Sequence, residues 1–437
     1  MNRHSTALRT VKHFSPLARW RVGLLGLGIG SVFFGNITDN SPTRIIAGIF
    51  VYAAALFVAA ISADPVKSNS GRFVLPLTLL FVVSVISTIA LLFHFNHDSP
   101  GLLANLWMLL ALHLLTAFYV SRRGIHELLI ANAISGIPCV VLASILHRDR
   151  LMKMQLYLKS SEILVHKNLL AFVLAGFFGA FMYFYTSSKT ALRYTVFPFA
   201  ILCLYLVFYS SSRGSLFAIL ISLAVAGTLY AVRGADDHAI HRNPFKRIAC
   251  IIALFILTIS AGLLNTRWVE TMADEASSVL ELTSRYRGVG SGLTGRTDIW
   301  AEVFRKLDWG DYLIGFGFRR STEIASDPID NGYIVLLAEN GVLVFLIIVS
   351  ALVFLLYKLL NLILLEAPQL ADYGLLIILL IYFANNFVAR YLYALGNTFS
   401  LMGLALMSAP FFPEVARLNS SCKRILPFIP FSRPLKN

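Results

Sequence analysis

Twelve apolar runs, each long enough to cross a bilayer as a helix, fill most of this sequence, and one long polar stretch interrupts them. A helix needs about 20 apolar residues to span a hydrocarbon core of about 30 Å. Runs of that kind lie near residues 20–36, 43–63, 73–93, 101–120, 125–146, 168–187, 191–209, 214–232, 247–265, 333–357, 371–389 and 392–412. With 57% hydrophobic and 14% charged residues among 437, there is too little polar side chain to coat a soluble particle of this size. Lipid offers no partner to a free backbone amide, so the runs read as helices. The expected fold is an all-α polytopic membrane protein. Residues 1–264 carry the first nine spans, 265–332 a large, partly helical outer loop, 333–412 the last three spans, and 413–437 a basic tail.

The formal charge of +14 would suggest nucleic acid in a soluble protein. Here the positive-inside bias accounts for much of it, and no nucleic-acid partner is expected. Arg3, Arg9, Lys12, Arg19 and Arg21 precede or open the first run, and Arg417, Lys423, Arg424, Arg433 and Lys436 follow the last. Arg122, Arg123, Arg233, Arg242, Lys246 and Arg247 fall on the same side if the spans alternate. Both termini are therefore expected in the cytoplasm and the long stretch outside. Residues 1–21 lead into the first run without an A-x-A-like cleavage site, so that run reads as a retained span. Cys139, Cys203, Cys250 and Cys422 are scattered, which indicates neither a disulfide framework nor a metal site.

Two outer links depart from the charge rule. The link 147–167 holds Arg148, Arg150, Lys153, Lys159 and Lys167; the long stretch holds Arg267, Arg285, Arg287, Arg296, Arg305, Lys306, Arg319 and Arg320. An anionic lipid headgroup, such as a pyrophosphate, would retain bases there. Pairing with local acids is the alternative, and Glu270, Asp274, Glu275, Glu281, Asp298, Glu302, Asp308, Asp311 and Glu323 are at hand. Residues 151–159 alternate apolar and polar, which fits a strand or a segment lying in the membrane interface.

Within the long stretch, residues 266–288 and 296–307 have helical apolar spacing, and the glycine-rich 288–295 between them lacks the GK[ST] of a P-loop. The start of the second helix would offer free amides to an anion beside Arg296. A glycine-aromatic loop, GFGFRR, spans 315–320, and IDNGYIVLLAENG (329–341) runs into the tenth span. Asp330 stands at that helix mouth, either as its N-cap or as a chemical group. Asp298 suits first-turn charge compensation, and Glu339 an interhelical hydrogen bond. Arg213, after Ser210, Ser211 and Ser212, has no acid near it in sequence; it is a site candidate, with snorkelling to the interface as the alternative. Asn385, Asn386 and Arg390 suit helix packing.

Taken together, SSSRGS (210–215), GRTDIW (295–300) and the D-N-x-Y followed by L-x-E-x-G at 330–341 resemble the O-antigen ligase and O-antigen polymerase superfamily over roughly residues 165–410. The resemblance implies a helical membrane fold similar to the polyprenyl-dependent glycosyltransferases. It implies transfer of a glycan from undecaprenyl pyrophosphate to the lipid A–core, on the periplasmic face of the bacterial inner membrane, with no metal or other cofactor. It places Arg213 and Arg296 at the pyrophosphate, with Arg287, Arg319 and Arg320 as helpers and Arg148 and Arg150 in the basic link opposite. A carboxylate suits activation of the acceptor hydroxyl, so Asp330 is read as the general base or as the group that orients that hydroxyl, with Asn331 and Tyr333 orienting the acceptor. Many members have histidine where this chain has Asp330, and no histidine follows His241. An O-antigen polymerase and a protein O-oligosaccharyltransferase fit the same motifs. A lipid-linked glycan flippase would fit twelve spans, but transporters carry internal repeats and broken mid-membrane helices, and the sequence shows no repeat.

Overall fold

In a computed structural model, the structure describes residues 16–38, 42–62, 74–146, 167–188, 191–210, 212–236, 296–325, 328–365 and 368–411. The expected ninth span 247–265, the helix 266–288, the glycine loop 288–295 and the basic tail lie outside the described residues, as do Arg148, Arg150 and Arg287.

The described residues build an all-α polytopic membrane protein. The elements are α1 (Pro16–Thr38), α2 (Pro42–Ile61), α3 (Val74–Phe93), α4 (Ser99–Arg123), α5 (His126–Leu146), α6 (Lys167–Ser187), α7 (Phe197–Tyr209), α8 (Arg213–Asp236), α9 (Arg296–Lys306), α10 (Trp309–Ile314), α11 (Ser321–Ile324), α12 (Gly332–Leu365), α13 (Leu370–Asn385) and α14 (Thr398–Ser408). A 3-10 turn, Ala191–Val196, leads into α7. Among the described residues there is no strand, and nine helices are long and apolar enough to cross a membrane, the 3-10 turn and α7 counting as one.

Glycines let helix backbones approach where lipid supplies no hydrophobic drive for association. A Cβ on Gly48 of α2 would stand 2.7 Å from the Ser31 carbonyl of α1, and one on Gly374 of α13 would stand 2.9 Å from Tyr183 Cα of α6. These sites explain the close α1–α2 and α6–α13 pairs. Every residue of α14 is buried, and it touches α1, α4, α6, α12 and α13. A helix apolar all round belongs in the centre of a bundle, and that is where it sits.

The eleventh and twelfth runs differ from expectation. Read as 371–389 and 392–412, they form helices of only 16 and 11 residues, separated by non-helical chain. Asn385 and Asn386 end α13, Gly396 takes φ 98°, and the Asn397 side chain caps α14 by accepting from Ser400 N at 2.8 Å. The coil's carbonyls are taken by side chains: Tyr391 O by Ser400 Oγ at 2.7 Å, Leu392 O by the Tyr382 hydroxyl, and Gly396 O by Asn36 of α1. The tenth run is longer than expected, reaching Leu365, and Gly341 breaks its helical geometry at φ 76°.

Contacts fix the two ends of the bundle. At one end Arg21 of α1 pairs with Glu127 of α5 at 2.7 Å, and Tyr119 of α4 donates to the same carboxylate at 2.9 Å. At the other end lie the α3–α4 link, the starts of α6, α8 and α12, and the exit of α13, joined by the contacts below.

Candidate active site

The described part of the segment before α12 is held by a small core of its own. Ile299, Trp300, Val303 and Leu307 form the inward stripe of α9 and pack with Ile324, Ala325, Ile329 and Ala338. Arg296 lies three and four residues before Ile299 and Trp300, so the stripe that buries α9 also turns Arg296 towards the start of α12. Lys306 and Glu302 pair at 2.7 Å on the exposed side, as the local-acid alternative expects. Asp308 caps α10, accepting from Asp311 N at 2.8 Å, while Asp311 accepts from Asp308 N at 3.3 Å and faces His94 Nε2 at 2.9 Å.

The GFGFRR loop docks where α12 is broken. The turn at Gly341 interrupts the amides that would bond Ala338 and Glu339 carbonyls within the helix. Phe316 N and Gly317 N supply them instead, at 2.8 and 3.0 Å. A Cβ on Gly315 would collide with the Glu339–Asn340 backbone, and one on Gly341 with the Leu313–Ile314 backbone. Both glycines have positive φ, so only glycine fits this double approach. Glu339 Oε1 accepts from Ser321 N at 3.3 Å, the bond between elements that its position suggested.

Asp330 sits where these parts meet. Its Oδ2 accepts from Arg296 at 3.2 Å and from Asn168 Nδ2 of α6 at 3.4 Å. Among the described residues Oδ1 accepts nothing. Asp330 is not the cap of α12. Asn331 is, since its Oδ1 accepts from the amides of Tyr333 and Ile334 at 3.0 and 3.1 Å. Asn331, expected to orient an acceptor, is 4% exposed and occupied by that task. Tyr333, expected beside it, donates its hydroxyl to Phe383 O at 3.0 Å and packs its ring 4.6 Å from Phe387.

Arg213 is the first residue of α8 and half-buried. The residues after it lock onto the exit of α13: Gly214 lies against Val388, and Ser215 Oγ donates to Asn385 Oδ1 at 2.9 Å. Asn386 O in turn accepts from Gly332 N at 2.8 Å. Residues 385–388 thus tie the helix start that carries Arg213 to the helix start beside Asp330. Arg320 does not belong to the site. It is 2% exposed, and its guanidinium donates to His94 O, to Asn96 Oδ1 at 2.8 Å and to Ser99 Oγ at 2.5 Å. A guanidinium so enclosed anchors the loop to the α3–α4 link and cannot reach a substrate. Arg319, its neighbour, is exposed.

Residues 198–349 match the family model for O-antigen ligase. That stretch, about a third of the chain, is similar to the O-antigen ligase family. The matched stretch runs from α7 to the middle of α12, so it contains Arg213, Arg296 and Asp330. No curated protein matches the chain.

Two contributors lie outside the O-antigen ligase match and were not singled out in the sequence as site residues. Asn168 follows Lys167 at the start of a span, a polar pair whose target no spacing reveals. Tyr391 lies in the coil after α13. Burial raises its hydroxyl above the ordinary tyrosine value; Arg390 opposes that through charge and a hydrogen bond, and the charge of Asp330 adds to it. Among the described residues no three His, Cys, Asp or Glu side chains gather as metal ligands. A cavity of about 730 Å³ lies elsewhere, between α1, α2 and α5; its lining is glycine-rich and mostly apolar, with Arg44 its one ionic residue.

Proposed function

We propose that the protein is an O-antigen ligase that transfers a glycan from undecaprenyl pyrophosphate to the lipid A–core at the periplasmic face of the inner membrane. The observation that carries this reading is the Arg296–Asp330 pair at the mouth of α12, with the Arg213 helix start tied to it through 385–388. It joins a phosphate-binding group to a proton acceptor.

The donor sugar is bonded at C1 to a pyrophosphate oxygen. The acceptor hydroxyl oxygen attacks C1, the C1–O bond breaks, and the electron pair leaves on the lipid pyrophosphate. Guanidinium groups bind such oxygens in pairs and never lose their proton, which suits Arg213 and Arg296 to the charge growing on the leaving group. An arriving pyrophosphate offers Arg296 a more highly charged partner than Asp330. The carboxylate is then freed, with Oδ1 open, to take the acceptor proton. Attack opposite the leaving group inverts C1, as in other single displacements. Arg287, Arg148 and Arg150 remain proposed helpers from the basic links. The large-loop domain, 265–332, is the catalytic segment in this scheme.

The test is transfer by purified protein in detergent. Activity is expected to persist in EDTA, and loss on chelation with recovery on added metal would sink the arginine account. Lipopolysaccharide gels from a deletion strain identify the acceptor. Core without O-antigen, with lipid-linked polymer accumulating, supports a ligase. Core bearing a single repeat would mean a polymerase, and an intact ladder with unmodified glycoproteins a protein transferase.

A further inference from the structure

The first helix, α1, carries two kinds of glycine. A Cβ on Gly28 would stand 2.9 Å from Tyr52 Cα, and one on Gly35 2.8 Å from the Arg44 carbonyl, so these two let α2 approach. Gly23 and Gly30 meet nothing within 4 Å among the described residues, and the atoms nearest Gly26, Ala131 O and Ser135 Cβ of α5, stand off at 3.7 Å. A glycine inside a helix costs about 0.5–1 kcal/mol relative to alanine. No described backbone comes close enough to require these three. They form the floor of the cavity of about 730 Å³ between α1, α2 and α5.

That cavity is a groove open to one side. Leu27, Phe34, Val51 and Ile134 of its lining are all exposed, so it faces the hydrocarbon of a membrane. Its serines keep their hydroxyls on their own helices: Ser31 donates to Leu27 O at 2.9 Å and Ser135 to Asn132 O at 3.2 Å. Such a lining suits hydrocarbon rather than water, which needs two to four polar partners. From Gly23 to Gly35 the floor rises about 18 Å. A hydrocarbon core is about 30 Å thick, so the groove has the depth of about one leaflet. That fits an acyl chain and is too short for a helix that crosses.

Arg44 sets the direction of the occupant. It lies in the first turn of α2, at the end of α1 away from the Arg21–Glu127 pair, which is the end that carries Asp330. The coil after α13 joins the two places. Leu392 and the Ala389 carbonyl lie against Gly332, two residues from Asp330. Gly396 lies against Ile45, next to Arg44, and its carbonyl accepts from Asn36 of α1. Leu392 to Gly396 spans at most about 14 Å of chain, so the mouth of the groove is close to the start of α12.

We propose that this groove seats an acyl chain of the acceptor lipid, with the anionic head of that lipid at Arg44. The proposal rests on the ligase reading. The donor does not suit the groove, because its lipid is joined directly to the pyrophosphate and its chain must enter beside Arg213 and Arg296. In a glycolipid acceptor, sugars separate the reacting hydroxyl from the acyl chains, and they bridge the coil between the groove and Asp330. An anion at Arg44 and hydrocarbon over Gly23 and Gly30 match the two halves of such a molecule.

Binding and transfer are read separately. The full chain in detergent is titrated with lipid A lacking core, with phosphatidylglycerol and with farnesyl pyrophosphate while its thermal midpoint is followed. Lipid A is expected to raise the midpoint of wild type. Gly30→Leu places a branched side chain midway along the floor. Its lipid-free midpoint should match wild type, and its apparent affinity for lipid A should fall about tenfold or more, which the loss of about two buried methylenes already gives. Arg44→Gln should weaken lipid A about two- to fivefold, as an exposed ion pair allows. Farnesyl pyrophosphate should bind both variants as it binds wild type and weaken in Arg296→Gln. In transfer, Gly30→Leu should raise the KM for the acceptor and leave that for the donor. If Gly30→Leu does not fold, Gly23→Leu is read the same way; failure of both would mean that protein fills the groove, and overturns the proposal. So does a wild type that ignores lipid A, or one that binds phosphatidylglycerol as tightly, which would make the groove a general phospholipid seat. Loss of farnesyl pyrophosphate affinity in folded Gly30→Leu would give the groove to the donor and also overturns it. An unchanged acceptor KM in folded Gly30→Leu removes the seat and leaves the ligase reading standing. Lipid A bound as expected, with no glycan transferred, overturns the ligase reading alone.

Discussion

Asn331 accepts the two amide hydrogens that an N-cap must satisfy, and so leaves the neighbouring carboxylate of Asp330 out of the helix. The two side chains are adjacent and similar in size, yet they should fail differently when changed. Asn331→Ala should lower unfolding stability by about 1 kcal/mol, the usual value of a lost cap, with turnover falling only as far as the helix start loosens. Asp330→Asn should leave the thermal midpoint near wild type, because a partly exposed ion pair contributes about 0–1 kcal/mol. Its transfer rate should fall about 10²–10⁴-fold, the range for a lost general base. Equal turnover of Asp330→Asn and wild type would remove the base from the scheme. Arg213→Lys keeps the charge but not the fork; a strong drop in transfer is expected, and near-normal rates would mean that Arg213 only snorkels. Arg320→Met tests the anchor. It removes charged hydrogen bonds to Asn96 and Ser99 worth about 1.5–3 kcal/mol each, so denaturation in detergent should shift clearly while the affinity for farnesyl pyrophosphate stays.

Among the elements, what the sequence revealed depended on whether a local pattern decided the structure. The helix expected at 296–307 is found at Arg296–Lys306, because its apolar stripe and its burial coincide. The break between α13 and α14 was hidden. Residues 386–397 are apolar enough to look like span, and what makes them coil is the set of side chains from α1, α13 and α14 that bind their carbonyls. Such partners come from distant sequence, so no window of hydropathy could show them. Arg320 was misplaced for the same reason: one arginine of an adjacent pair is buried and the other exposed, and only the α3–α4 link decides which. The docking of Gly315 and Gly341 gives the sharpest test at this scale. Gly341→Ala should destabilise the fold and abolish transfer, since positive φ and a collision with the Leu313–Ile314 backbone act together. Gly30→Ala, with nothing within 4 Å of the added carbon, should be neutral or slightly stabilising in the same melting assay.

Over the whole molecule, alternate helices run in opposite directions, and contacts between distant residues gather the α3–α4 link and the starts of α6, α8 and α12 at one end. If that end is periplasmic, a cysteine placed at the 90% exposed Trp309 should react with an impermeant maleimide in spheroplasts. One placed at Arg122, at the far end of α4, should react only after lysis. The native Cys139 and Cys203 are buried and should stay silent. The reverse pattern would turn the site to the cytoplasm and end the lipid A–core reading. The central position of α14 has a consequence for how the protein is made. The chain enters the membrane from its N-terminus, so α1, α4 and α6 are in place long before the helix they surround has been synthesised. Until then they enclose a gap of one helix, closed by lipid or by each other, and the last described span completes the molecule as a keystone does.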